Sequence, residues 1–504
     1  MRGLKPGLSK IFAKKIRKEI LKWSNSPFKS QEKVFQSLIE NGRKTSFGKD
    51  HNFQEIQSHK DFIKKVPIRE YEELKPYIDK VVQGEKDILW PGLPLYFAKT
   101  SGTTSGAKYI PLTKKSLKNQ VEAARNALLN YIAITGNSKF TDGKMIFLQG
   151  SPLLNHDQKV PSGRLSGIVA HYVPKYLQKN RLPSLETNCI EDWETKVEAV
   201  VKETLPEDMR LISGIPSWVQ MYFEKLKETT GGKKIKDIFP NFDLFVYGGV
   251  NYEPYRQKFE ELIGKSVDSI ELFPASEGFF AFQDRPKERG MLLLVDAGIF
   301  YEFIPAEEIF NDNPTRLTLE EVECDVDYAL IISTNAGLWA YNIGDTVRFI
   351  SKSPYRIVVS GRIKHFTSAF GEHVIAYEVE EALRRTLEKY PAQINEFHVA
   401  PEVNPEEGLP YHEWLIEFEE EPENMDKFKT NMDHEMQALN PYYKDLLEGH
   451  ILRPLVISPL KKGQFNVYMD SIGKLGGQNK VPRLADDRKL ADAIKAINFK
   501  QNSI

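Results

Sequence analysis

Apolar positions follow two alternating rhythms through most of the chain. From about residue 93 to 360, short β-rich runs fall at Met145–Leu148, Leu244–Tyr247, Ser269–Phe273, Leu292–Val295, Tyr328–Ser333 and Arg356–Val359. Between them, helical spacing appears at Ser116–Ile132, Glu191–Thr204, Trp218–Thr229 and Tyr255–Ile263. This alternation predicts a layered α/β fold with substantial parallel sheet. Ahead of it, residues 24–90 carry helical patterns broken by Pro67 and Pro76. Residues Met1–Trp23 set Leu4, Leu8, Ile11, Phe12, Ile16 and Ile20 among lysines, predicting an amphipathic helix docked on the body. Attachment to a membrane surface is the lesser reading of the same pattern.

After Gly361-Arg362-Ile363-Lys364 the texture changes. A helix over Ile375–Tyr390 precedes strands at Glu396–Glu402 and His412–Phe418, joined by the loop Val403–Tyr411. A helix over Glu423–Leu439 and strands near Leu452–Ile457 and Gln464–Tyr468 follow. The pattern predicts a large domain over 1–362 and a smaller α+β domain over 363–504, a size of about 140 residues that one domain commonly takes.

Composition narrows the function. Lys and Arg total 69 against 70 Asp and Glu, which argues against a broad polyanion-binding surface, and no nucleic-acid partner is expected. The two cysteines, Cys189 and Cys324, lie far apart and without clustered histidines. That argues against a disulfide framework or a Cys-based zinc site and fits the cytoplasm. No apolar run approaches the length of a membrane span, and the basic N-terminus lacks the apolar core of a signal peptide.

The chemistry concentrates in Lys99-Thr100-Ser101-Gly102-Thr103-Thr104-Ser105-Gly106-Ala107-Lys108. Its glycines, hydroxyls and flanking lysines suit polyphosphate, bound by backbone N–H groups and offset by ammonium charge. The spacing is not that of a Walker A loop. Taken alone, the run reads equally well as a flexible surface loop. Further on, Phe245-Val246-Tyr247-Gly248-Gly249-Val250 ends an apolar run in two glycines, which permits close ligand approach at a strand's carboxyl end. Each alone has an ordinary structural reading, a strand-to-helix turn here. The same holds for a capped helix start at Phe273-Pro274-Ala275-Ser276-Glu277 and a common Asp turn at Tyr341-Asn342-Ile343-Gly344-Asp345.

In this order the segments resemble the adenylate-forming superfamily, and the Gly-Thr-Thr-Ser-Gly form of the loop resembles its Gretchen Hagen 3 branch of acyl acid amido synthetases. The lysine-rich chain looks like a bacterial member. The resemblance implies that Lys99, Ser101, Gly102, Thr103, Thr104, Ser105 and Lys108 bind the phosphates of ATP. It places Gly248, Gly249 and Val250 against adenine, stacks Phe273 on it where tyrosine is usual, and brings Ser276 to the α-phosphate. Glu277 holds Mg²⁺, Asp345 and Arg362 fix the ribose, and Lys364 is the hinge on which the small domain turns. Plant relatives usually carry Arg where this chain has Asn342.

The C-terminal Gln478-Asn479-Lys480-Val481-Pro482-Arg483 resembles the family's last motif, making Lys480 the adenylation lysine, with Lys474 second. Lys480, Glu277 and Lys108 are thus the catalytic candidates. The implied reaction is attack of a carboxylate on the α-phosphate of ATP, then transfer of the acyl group from AMP to an amine, probable acceptors being amino acids. Acid-pocket candidates are Gln149, His171, Trp218 and Tyr222, although a core role for His171 or Trp218 is the commoner one. An acid–thiol ligase using coenzyme A, and a non-catalytic nucleotide- or acyl-binding protein, remain as alternatives. A monomer is expected.

Overall fold

The structure is a computed structural model. It describes residues 4–103, 106–172, 178–190, 193–249, 252–363, 366–367, 374–403, 405, 407–448, 452–475, 480–485 and 487–497. Thr104, Ser105, Val250 and Lys364 lie outside the described residues, as do the side chains of Ser101, Thr103 and Arg362.

The chain divides into two compact units, Met1–Val250 with Gly264–Val358, and Asn251–Ile263 with Val359–Ile504. In the first, an 11-stranded sheet runs in the order Ile299–Pro305, Asp327–Thr334, Tyr341–Lys352, Tyr355–Arg362, Met291–Leu293, Phe279–Phe282, Asp268–Pro274, Leu244–Gly248, Met209–Ser213, Lys144–Phe147 and Arg181–Leu182. The last five strands are parallel. Their successive carboxyl ends therefore share one edge, where α/β sheets bind ligands. Leu244–Tyr247 is buried on both faces, as a covered parallel strand requires.

The helix Lys114–Thr135 crosses this half of the sheet. Thr113 caps it through a reciprocal Thr113–Ser116 capping box, and Gly136 at φ +71 ends it. The N-terminal helix Leu4–Ser24 packs on it through Ala13, Ile16 and Ile20, all buried with Ala123, Ala127 and Tyr131. Leu8, Ile11 and Phe12 on the same helix stay exposed. Pro76 does not break its helix: Tyr71–Val82 runs through it, burying Tyr71, Leu74, Ile78 and Val81. One backbone hydrogen bond is lost there, which this helical stripe of buried residues outweighs. Pro67 follows the helix His59–Lys65.

In the second unit, the strands Gln393–Glu402 and Tyr411–Glu420 pair antiparallel, and Val456–Leu460 adds a parallel edge. The helices Ala376–Lys389 and Met425–Leu439 bury Leu383, Phe428 and Met432 against Trp414 and Phe397. The helix Glu253–Ile263 belongs to this unit although the large domain surrounds it in sequence. Glu261 accepts a hydrogen bond from Gln393 (2.7 Å), and Lys258 pairs with Glu419 (3.3 Å). Two sequence expectations fail here. The strand expected near Leu452–Ile457 forms later, at Val456–Leu460, after Pro454. The strand expected at Gln464–Tyr468 is the helix Gln464–Ser471, with Phe465 and Met469 buried one turn apart and Val467 exposed.

Candidate active site

The Ser/Thr/Gly run is not a free loop. Its arms are the strands Tyr96–Thr103 and Gly106–Leu112, antiparallel with Lys99 opposite Tyr109 and Thr103 opposite Gly106. Tyr71 braces this hairpin, accepting a hydrogen bond from the Tyr109 N–H (2.8 Å). The Lys108 ammonium lies over the Tyr71 ring, 5.7 Å from its centroid. Lys99 is exposed. Nothing in the sequence singled out Tyr71.

At the carboxyl edge of the parallel strands, Gly248 pairs with Leu272. A Cβ at Gly248 would come within 2.4 Å of the Leu272 carbonyl oxygen, so only glycine fits. Gly249 follows with φ +83. The next strand ends at Pro274 in a tight hairpin rather than a helix, closed by Ala275 N–H to Gly278 O (2.7 Å). Ser276 and Glu277 occupy its tip, half-buried. Gln120, from the crossing helix, donates to Ala275 O (2.8 Å) and steadies the turn. Phe273 is buried with its ring edge-on to Phe280 at 5.0 Å.

Tyr341–Asp345 opens the strand Tyr341–Lys352. Asn342 Oδ1 accepts the Gly344 N–H (2.9 Å), and Gly344 has φ +85, so Asn342 shapes the turn that presents the buried Asp345. Residue Arg69 pairs with this turn through Arg69 N–H to Ala340 O (3.0 Å) and Asn342 N–H to Arg69 O (2.8 Å). That places the start of the Tyr71 helix beside it. The Tyr341 phenol is fully buried, and its oxygen has no hydrogen-bond partner among the described residues. Burial, followed by the charge of Glu277 and then by Tyr71 and Glu70, raises its ionisation far above the usual tyrosine range. Hairpin, Tyr71, Glu277 and Tyr341 thus form one neighbourhood.

The acid-pocket candidates differ in burial and partners. Gln149 lies two residues beyond the strand end at the ligand edge, and its side-chain Nε2 is buried without an acceptor among the described residues. Trp218 is buried and packs with Val197, Ile215 and Met221. Tyr222 is a core residue, fully buried, with its hydroxyl 2.6 Å from Thr204 Oγ1. His171 is exposed, its ring nitrogen 3.1 Å from Pro152 O.

In the second unit, Lys480 is exposed at the head of a segment strapped along Gln393–Glu402. Val399 N–H donates to Arg483 O (2.9 Å), Ala485 N–H to Val399 O (2.9 Å), and the Arg483 guanidinium covers Phe397 at 4.6 Å. Among the described residues there is no cluster of three acidic, Cys or His ligands and no helix long and apolar enough to cross a membrane.

Known proteins match along the whole architecture. Models of the GH3 family N-terminal, central and C-terminal domains match residues 16–175, 292–362 and 377–489. An indole-3-acetic acid-amido synthetase of Arabidopsis thaliana, GH3.3, is 22% identical over 90% of this chain and 88% of its own. A jasmonoyl–L-amino acid synthetase of Nicotiana attenuata, JAR6, is 21% identical over 94% of each. Both are plant proteins, and they lend no support to a bacterial source. The crystal structure of the acyl acid amido synthetase AtGH3.15 with 2,4-DB superposes with a TM-score of 0.77 at 16% identity, covering 96% of each chain. A 2-hydroxyisobutyryl-CoA ligase in its postadenylation state gives 0.59 at 13% identity, over 92% of this chain and 90% of that one. The chain belongs to the GH3 family, and with it to the ATP-dependent acid–amine ligases of the adenylate-forming fold.

Proposed function

We propose that the protein activates a small carboxylic acid as its acyl-adenylate and transfers the acyl group to an amino acid. A carboxylate is a poor acyl donor because its leaving group would be oxide. Esterification to AMP removes that obstacle, with pyrophosphate as the other product. The protein's task is then positioning and charge neutralisation. The convergence of Lys108, Tyr71, Glu277 and the unpartnered Tyr341 hydroxyl is the observation that carries this reading.

In that reading, Lys108 and the hairpin backbone hold the phosphates while Gly248 and Gly249 let adenine lie against the strand end. Asp345 accepts from the ribose hydroxyls, and Tyr341 donates its buried O–H to an oxygen of the reacting carboxylate or phosphate. Arg362, Lys364 and Lys480 keep the ribose, hinge and adenylation roles that the family resemblance gives them. A single half-buried carboxylate suits magnesium, which takes one or two carboxylates and fills its shell with phosphate oxygens and water. Glu277 would hold the ion, which supplies neutralisation of phosphate charge.

Acids that share the names of the relatives' substrates, indole-3-acetate and jasmonate, belong in the first panel tried. Pyrophosphate release from MgATP is measured across pooled aromatic, aliphatic and hydroxy acids, with and without pooled amino acids. Release that needs an acid and rises with amino acids supports the proposal. Release indifferent to amino acids but stimulated by coenzyme A overturns it in favour of an acid–thiol ligase, and acid-independent ATP binding without release favours a binding protein.

A further inference from the structure

Two cations and a side-chain amide gather around Gly150. Lys196 sits on the helix Trp193–Thr204 and is 4% exposed. Its ammonium donates to two backbone carbonyls, Gln149 O (3.0 Å) and Asn188 O (2.8 Å). An ammonium has three donors, and no carboxylate pairs with this one among the described residues. The Gln149 side-chain Nε2 is buried without an acceptor among the described residues. Arg164 lies against Gly150, its Cδ and Nη1 at 2.7 and 3.0 Å from where a Cβ would stand. Its guanidinium has no ion pair or side-chain hydrogen bond among the described residues.

Two cations and an amide donor therefore lie around Gln149 and Gly150, and no acid pairs with either cation among the described residues. Burial, and then the like charge of Arg164, lowers the Lys196 ammonium to about 8. Holding an unpaired ammonium out of water is costly, and a bound anion would relieve that cost. Its position is informative too. Gln149 and Gly150 follow the carboxyl end of Lys144–Phe147, the same sheet edge that carries Gly248 and Glu277.

We infer that Arg164, Lys196 and the Gln149 amide bind a substrate carboxylate other than the one that is adenylated. Its source is either a second carboxylate on the acid or the α-carboxylate of the amino-acid acceptor. This inference rests on the ligase reading above. A purely structural role for Lys196, strapping Gln149 to Asn188, predicts no preference for charge in either substrate.

The test compares wild type with Lys196→Met, Lys196→Arg and Arg164→Gln, the last at an exposed side chain. ATP–pyrophosphate exchange, which needs only the acid, is run with dicarboxylic acids and with their monoamide counterparts. Amide formation is run separately with amino acids and with the corresponding amino-acid amides. Loss of a hydrogen bond to a charged group lowers the charged-to-neutral ratio of kcat/KM by about 10- to 100-fold in Lys196→Met. Arg164→Gln lowers it less, and Lys196→Arg retains part of it. A ratio that falls in exchange assigns the pocket to the acid, and one that falls only in amide formation assigns it to the acceptor. Ratios unchanged in both assays, whatever the absolute rates, overturn the inference while leaving the ligase intact. Wild-type protein without acid-dependent exchange overturns the ligase reading itself.

Discussion

Replacing Tyr341 with Phe should make the protein more stable and less active. The ring is fully buried, so Phe fills the same space and only the hydroxyl is lost. That hydroxyl has no hydrogen-bond partner among the described residues, and a buried unsatisfied group costs about 1–3 kcal/mol. Tyr341→Phe should recover about 1 kcal/mol or more of it, read as a rise in the thermal midpoint. The gain carries a functional loss if the hydroxyl serves the reacting oxygens, because a hydrogen bond to a charged group contributes about 1.5–3 kcal/mol. That is a loss of roughly tenfold or more in kcat/KM for acid-dependent ATP–pyrophosphate exchange. Thermal unfolding and exchange kinetics on one preparation give both numbers. A variant less stable than wild type, with exchange unchanged, would show that the hydroxyl is satisfied within the fold, and the reasoning would fail.

Gly248→Ala forces a methyl to within 2.4 Å of the Leu272 carbonyl and should part the two strands beneath the nucleotide site, costing about 1–3 kcal/mol and most ATP affinity; thermal midpoint and nucleotide titration read the two effects. Arg316 holds the fully buried Glu302 through two hydrogen bonds (2.9 and 2.8 Å), with His59 Nε2 at 2.7 Å from the same carboxylate. Burial alone would raise that carboxyl, but Arg316 and His59 bring it below its ordinary value. Arg316→Met should therefore cost about 3–5 kcal/mol in denaturant titrations, and adding Glu302→Gln should restore much of it. Burial raises Tyr131, Tyr301 and Tyr341 well above the ordinary tyrosine value. The stability these neutral phenols contribute is present below about pH 10 and is lost as pH rises above it, by up to about 1.4 kcal/mol per pH unit for each. Urea midpoints from about pH 8 to about pH 11 should stay level with respect to these groups and then fall.

The glycines of the proposed nucleotide site were legible because their demands are local. Gly248 is fixed by a carbonyl that leaves no room for a side chain, and Gly344 by a left-handed turn, so both glycines mark their positions in the chain itself. What the sequence hid depends on distant partners. The Ser/Thr/Gly run taken alone reads equally well as a loop because these residues favour turns, yet the pairing of Tyr96–Ala98 with Ile110–Leu112 continues into its arms and makes them a hairpin. Tyr71 acts on that hairpin across 38 residues of chain, and its own helix looked interrupted by Pro76. The strand expected at Gln464–Tyr468 is a helix whose buried pair is Phe465 and Met469, a helical spacing set by packing rather than propensity. Tyr222 was an acid-pocket candidate by its place between the Ser/Thr/Gly run and Glu277, and Thr204 on the neighbouring helix satisfies its hydroxyl in the core. Lys196 and Arg164 gave no local signal at all, since an unpaired cation is recognised only once its surroundings are known.

The central claim is that the carboxylate attacks the α-phosphate of ATP and that AMP later leaves from the acyl carbon. Acid labelled with heavy oxygen in its carboxylate tests this directly, by mass spectrometry of the products of one complete turnover with an amino acid. The account predicts an amide that keeps one labelled oxygen and AMP that carries the other, with unlabelled pyrophosphate. Label in inorganic phosphate together with ADP would place the attack at the γ-phosphate and contradict it.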